Sequence, residues 1–452
     1  MNWIHPFILR NAQIVTPTGV MQGDLAVEGE SISAIGTNLV ISGAEERDLQ
    51  GFFIFPGVID SHVHFNDPGR SEWEGFTTGS HAAAAAGDSI FFDMPLNAHP
   101  PTLDAESFRL KLAAAFGRSC CDFCFWGGLV PDNLHHLESL AELGVIGFKA
   151  FMSNSGMADF SAVNTAQLRE GMRIAAGLGM VVALHAEDDV LTQTLAKERM
   201  DAGKTSIRDY LDSRPVQAEL NAIRIGLELA EETGCSIHIV HVSSGQGVAL
   251  IAEARALGID ITCETCPHYL ALTEEDIFTL GTAAKCAPPL RSIDEQNLLW
   301  HELGKRNIQT LGSDHSPAPS DMKQGANFFK VWGGIAGAQH LLSLVLHESE
   351  KRGIQNLPLL AAMTSLNVAN RFQLPSRKGR LEPGADADFS IWHRIPATHI
   401  RREDLLDRHR LSPYVGRPLT WQVQETWLRG QRIFKDGKIE KASTGKFVSR
   451  DI

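Results

Sequence analysis

Three features of the sequence predict an α/β fold, a (β/α)8 TIM-like barrel with a small β-sandwich domain formed from both chain ends. Eight near-continuous apolar runs occupy the middle of the chain with helical patterns between most of them, as in a parallel sheet covered by helices. Short strands bounded by turn residues are confined to the two ends. Several of the apolar runs also finish in a residue able to bind a metal ion. In a closed barrel the carboxyl ends of the strands converge on one mouth, so such residues would meet there.

Taken in order, Ile8-Leu9-Arg10, Ala12-Gln13-Ile14-Val15 and Leu25-Ala26-Val27 are set off by Asn11, Pro17-Thr18-Gly19 and Glu28-Gly29. They read as a small antiparallel sheet. The eight apolar runs follow at 55–64, 89–95, 122–130, 147–152, 180–187, 236–244, 260–270 and 309–313. Helical periodicity is clear over 165–178, 216–233 and 247–257. The richest apolar stretch, 82–92, is broken by Gly87 and Asp88 and is too short to span a bilayer. No Gly-x-Gly-x-x-Gly turn follows the first run, which counts against an open doubly wound sheet, and 243–247 reads as a strand-to-helix turn. Strand texture returns at 387–392, 422–428 and 432–434. Chain ends often lie close together, so residues 1–55 and 380–452 are expected to form one composite β domain around a barrel of residues 56–379.

The 452 residues carry 41 Lys and Arg against 54 Asp and Glu, a formal net charge of −13. That balance disfavours attraction to phosphate backbones, so no nucleic-acid partner is expected. Hydrophobic residues make up 43% and charged residues 21%, which places the chain among globular rather than disordered proteins. The first 15 residues, interrupted by His5, Pro6 and Arg10, lack the organisation of a signal peptide. Seven cysteines, an odd and sparse set, fit reduced thiols better than a disulfide framework. The expectation is a soluble cytoplasmic protein with no membrane association.

The first run ends Asp60-Ser61-His62-Val63-His64, and strand alternation turns His62 and His64 to one side. The fifth ends in His185, the sixth carries His241, and the eighth ends Gly312-Ser313-Asp314-His315. Taken singly, each histidine has an ordinary reading as a hydrogen-bonded rim group, and Asp314 as a helix cap. Taken together, on different strands and in register, they read as a ligand set. Lys149 sits in the apolar run Ile146-Gly147-Phe148-Lys149-Ala150-Phe151, where burying an ammonium is costly. Its ordinary reading is a packed stem with the head at the rim. Beside the histidines, the favoured reading is a neutral amine carbamylated by CO2, a carboxylate able to bridge two metals. Cys263-Glu264-Thr265-Cys266 has no second pair at structural-zinc spacing, and Cys120, Cys121 and Cys124 flank an aromatic strand. Both sets read as core thiols.

His62-Val63-His64, Lys149, His185, His241 and Asp314 resemble the ligand pattern of the amidohydrolase superfamily, in its branch of cyclic amide hydrolases. That branch contains dihydroorotases, hydantoinases (dihydropyrimidinases) and allantoinases. Residues 11–15 and 379–388 resemble its small β domain. The resemblance implies that His62, His64 and Asp314 bind one divalent metal and that His185 and His241 bind a second. Two Zn2+ ions are expected, with Co2+, Mn2+ or Fe2+ as alternatives, bridged by Lys149 after its reaction with CO2. Asp314 would also serve as general base. An inactive structural or assembly relative would be expected to have lost some of these six residues, and all six are present. The family further implies a homo-oligomer, a tetramer or a dimer.

Within the branch, dihydroorotases place an arginine that grips the substrate carboxylate two residues after the second histidine of His-x-His. This chain has Asn66 there, which favours an uncharged substrate, although Arg70 four residues on is an alternative cation. Asn97 comes one residue later after Met94-Pro95 than dihydroorotases have it. Segments 68–75, 263–269, 285–291, 313–317, 330–337 and 412–417 resemble allantoinases in particular, which implies allantoin as the small-molecule substrate. By the same resemblance the backbone around Ala287 meets the hydantoin ring.

Overall fold

The computed structural model describes residues 5–354 and 356–451. Residues 1–4 and 452, part of the expected terminal domain, lie outside the described residues. Eight parallel strands form the barrel: Val58–Val63, Asp88–Asp93, Asp122–Phe125 with its continuation Gly127–Gly128, Phe148–Phe151, Val182–His185, Ile237–Ile239, Ile261–Thr265 and Thr310–Leu311. A parallel bridge between Val63 and His315 brings the eighth strand back to the first, helped by the Ser313 amide donating to Asp60 Oδ1 at 2.9 Å. Trp126 interrupts the third strand, and its indole N–H crosses to the Ser61 carbonyl at 3.1 Å. The first two strands are buried at every position, which is why they read as unbroken apolar runs instead of alternating ones.

Breaker residues divide the chain where the strands need it. The alanine-rich stretch is a helix, Phe76–Ala86, stopped by Gly87 at φ 95° so that Asp88 starts the second strand. The helix expected over 247–257 is Gly245–Ala256, because the Ser244 hydroxyl accepts the Gly247 amide and caps it two residues earlier. Among the described residues no helix is long and apolar enough to cross a membrane.

Strands from both ends form one nine-stranded mixed sheet, in which Phe53–Pro56 pairs with Phe7–Thr16 on one side and Phe389–His399 on the other. Asn11 does not separate two strands. It makes a bulge at φ 60° inside the continuous Phe7–Thr16. The sheet has its own core of Leu9, Ile14, Leu25, Ile54, Phe389 and Ile391. It is joined to the barrel by Lys378, whose ammonium reaches Asp122 at 2.9 Å, Asp386 at 2.9 Å and Asp388 at 2.8 Å. The last residues leave the sheet and run along the third barrel strand, where the Val448 amide donates to the Phe123 carbonyl at 2.9 Å.

Candidate metal centre

At the carboxyl ends of the strands, His62 Nε2 and His64 Nε2 each lie 3.4 Å from Asp314 Oδ1. The ligand atoms of the three residues fall within 4.8 Å of one another. His185 Nδ1 and His241 Nε2 face each other at 3.0 Å, and the His62 and His241 rings are 5.4 Å apart. His241, Asp314 and Asn66 adopt left-handed backbone conformations, φ 41°, 46° and 65°, which cost energy for a side chain with a Cβ and turn these residues away from the strand direction.

The hydrogen bonds decide which ring atoms are free. His62 Nδ1 is 2.8 Å from Glu264 Oε1, so its proton sits on Nδ1 and the Nε2 lone pair faces Asp314. His185 Nε2 is 2.8 Å from Glu187 Oε2, which leaves Nδ1 as the lone-pair atom. The Asn97 amide lies 3.3 Å from His64 Nδ1. Burial favours the neutral, ligating form of His64, His185 and His241, although Glu187 pulls His185 the other way. Burial alone would raise the Asp314 carboxyl. The neighbouring imidazoles of His62 and His64 outweigh it and hold Asp314 well below the usual carboxylate range.

Lys149 is fully buried, and its Nζ has no hydrogen-bond partner. Burial pushes the amine down to about 7, against the pull of Asp314 and Glu264. Lone pairs converging on a carboxylate oxygen, beside an unpartnered amine, are a donor set that fits a divalent cation. The buried His62–His64–Asp314 cluster is a site for one. All seven cysteines are unpaired and buried in the core.

The expected substrate contacts separate. Asn66 is 1% exposed and neither end of its amide has a partner. Arg70 is committed to the Asn97 and Ala98 carbonyls at 3.1 and 3.0 Å and to Asp159 at 2.9 Å. Ala287 lines a cavity of about 790 Å3 with Tyr210, Arg214, Lys285 and Trp332, walled on one side by the helix Asp189–Asp201 and by none of the six ligand-type residues. A different cavity of about 410 Å3, between the barrel helices and the terminal sheet, is lined by His340, Trp421 and Phe434 and by none of the ligand residues.

Sequence reasoning missed Glu264, Glu187 and Arg214. A signal existed for two of them. Glu264 is a charge inside an apolar run, as Lys149 is, and Glu187 follows His185 by two residues.

A model of the amidohydrolase family matches residues 53–433. The chain is 49% identical to an allantoinase of Rubrobacter xylanophilus over 98% of this chain and 97% of that one. It is 47% identical to an allantoinase of Deinococcus radiodurans over 98% of both. Among solved structures, the L-hydantoinase (dihydropyrimidinase) of Arthrobacter aurescens superposes with a TM-score of 0.95 at 32% identity, covering 98% of this chain and 99% of that one. The match begins at the strand that joins the two sheets and takes in every barrel strand with the residues gathered at its mouth: the chain belongs to the amidohydrolase family.

Proposed function

We propose that this chain hydrolyses the hydantoin-ring amide of allantoin, a product of purine breakdown, to give allantoate. The observation that carries the reading is near-full-length similarity to proteins named allantoinases, in a chain that keeps all six ligand-type residues. His62, His64 and Asp314 would hold one divalent ion, and His185 through Nδ1 with His241 through Nε2 a second, with carbamylated Lys149 between them. Zn2+ is the proposed metal. Two such ions lower the pKa of water and polarise a scissile carbonyl.

The protein's own groups do the rest. Asp314 directs Oδ1 at both histidines, which leaves its other oxygen for proton transfer, and it is the most exposed of the three ligands. It takes a proton from the attacking water and delivers it to the ring nitrogen as the C–N bond breaks, while the water oxygen remains in the new carboxylate. Asn66, with both amide ends unpartnered, offers a donor and an acceptor to a neutral ring. With its guanidinium engaged by loop carbonyls and Asp159, Arg70 braces the mouth instead of meeting a substrate carboxylate. That arrangement favours allantoin over dihydroorotate. Ala287 contributes its backbone to the pocket wall.

Residues 1–55 with 380–452 would act as a composite support for the barrel of 56–379, a division favoured by the shared terminal sheet. Unpaired buried cysteines suit a cytoplasmic setting. The family resemblance supports a tetramer or a dimer. Likeness to the L-hydantoinase structure favours a second reading, hydrolysis of 5-substituted hydantoins by the same residues. Assay of metal-loaded enzyme against allantoin, 5-substituted hydantoins, dihydrouracil and dihydroorotate tests the choice. Allantoin should be the best substrate; turnover of dihydroorotate without allantoin would reject it.

A further inference from the structure

We infer that the segment from Arg214 to Glu219, at the start of the barrel helix Val216–Thr233, holds the second metal position in register. It fixes the coordinating face of His185 through Glu187 and the turn after His241 through Glu219. The inference rests on the two-ion reading above.

Glu187 is fully buried, its Oε2 lies 2.8 Å from His185 Nε2, and the same oxygen is ion-paired with the Arg214 guanidinium. An imidazole whose Nε2–H is held by a carboxylate presents Nδ1 as its lone-pair atom, and Nδ1 is the atom that faces His241. Arg214 holds that carboxylate in place. On the other side, Glu219 is 1% exposed and receives four bonds: the Ser243 amide and hydroxyl, both at 2.8 Å, and the Ser244 amide and hydroxyl at 3.1 and 2.5 Å. These serines follow His241 immediately after Val242, so Glu219 immobilises the turn that the left-handed backbone of His241 begins.

Arg291 ties the halves together, donating to the Ser243 hydroxyl at 2.9 Å and to the Arg214 carbonyl. Among the described residues, none of the four side chains Glu187, Arg214, Glu219 and Arg291 is hydrogen-bonded to His62, His64 or Asp314. That trio is supported by Asn97 beside His64 and by Glu264, whose Oε1 meets His62 Nδ1 at 2.8 Å and also accepts the His241 amide at 3.4 Å. Glu264 is thus shared between the two positions, whereas Glu187, Arg214, Glu219 and Arg291 serve the second alone, and Arg214 also lines the 790 Å3 cavity.

Glu187, Arg214 and Glu219 are thus positioning residues, and metal content tests them without recourse to turnover. Wild type and the variants Glu187→Ala, Arg214→Met and Glu219→Ala are loaded with Zn2+, challenged with a graded chelator, and analysed for zinc per folded subunit. The remaining ion is located by anomalous diffraction. Wild type should retain two ions. The variants should keep the ion at His62–His64–Asp314 and hold the other roughly 10–100-fold more weakly. Glu187→Gln, which keeps an acceptor opposite His185 Nε2, should recover part of the loss, as a merely structural role would not require. If Glu219→Ala does not fold, Ser243→Ala removes the hydroxyl that joins Glu219 to Arg291 and should show a smaller loss in the same direction. Variants that hold both ions as wild type does, or that lose the two ions equally, would overturn the inference. Wild type holding a single ion would instead overturn the two-ion reading beneath it.

Discussion

Burial holds the Lys149 amine down at about 7, far below the 10.5 of a solvated lysine, so near neutral pH much of the folded protein carries it as free base. Only the free base attacks CO2. At fixed dissolved CO2, 13C label should enter Lys149 of the metal-free protein with a yield that rises with pH through about 7, and none should enter Lys149→Met. Uptake that began only near 10.5 would contradict the depressed amine. Asp314 is the proposed general base, and Asp314→Asn would remove both that proton acceptor and a proposed anionic ligand. Turnover should fall by roughly 10^3-fold or more in a variant with wild-type circular dichroism and restored metal, whereas near-normal activity would remove Asp314 from the role of base. Lys149 stands out in the sequence because it conflicts with its apolar neighbours, and the histidines because they recur at the ends of apolar runs. Glu264 could not be assigned so easily. Its partner His62 lies 202 residues away, and only closure of the barrel reveals the pair.

The strand ends carry the proposed ligands, and the loops after them shape the opening. Existence and order of the eight strands were legible because burial on both faces makes each one a continuous apolar run. Boundaries were less legible. Asn11 looks like a turn and is a bulge, while Ser244 starts its helix by capping it with a hydroxyl. Side-chain bonding that sequence periodicity does not record set these limits. Gly69 shows how tightly two mouth loops meet: at φ 84°, a Cβ there would come within 2.0 Å of the His99 carbonyl oxygen. Gly69→Ala must therefore push the first loop away from the second and disturb the neighbouring Arg70 brace. The expected result is a loss of about 1–3 kcal/mol in stability with a raised KM, measured by denaturant unfolding and steady-state kinetics. Unchanged KM and stability would show that the loops yield freely.

For the molecule as a whole, the C-terminal part of the terminal sheet is tied to the barrel by a buried charge cluster. Lys378 is 2% exposed and neutralises Asp122 of the third strand together with Asp386 and Asp388 beside the terminal sheet. Lys378→Met leaves those carboxylates under-compensated and should cost about 3–5 kcal/mol in chemical denaturation. A change below about 1 kcal/mol would mean that Arg429, which also pairs with Asp122, suffices alone. Strand texture at both ends was legible in the sequence, and strands from both ends share one sheet. The ion cluster was not legible, since its members lie in three separate stretches. The net charge of −13 serves solubility on this account, and the positive charge that matters chemically comes from bound cations. Turnover in H2(18)O with metal-loaded and metal-stripped enzyme tests the proposed metal-dependent attack of water on the ring amide of allantoin. A single 18O is expected in the new carboxylate of allantoate, formed by the loaded enzyme, lost on chelation and restored by Zn2+. Ring opening that persists unchanged without metal, or a loaded enzyme that leaves allantoin intact, would contradict it.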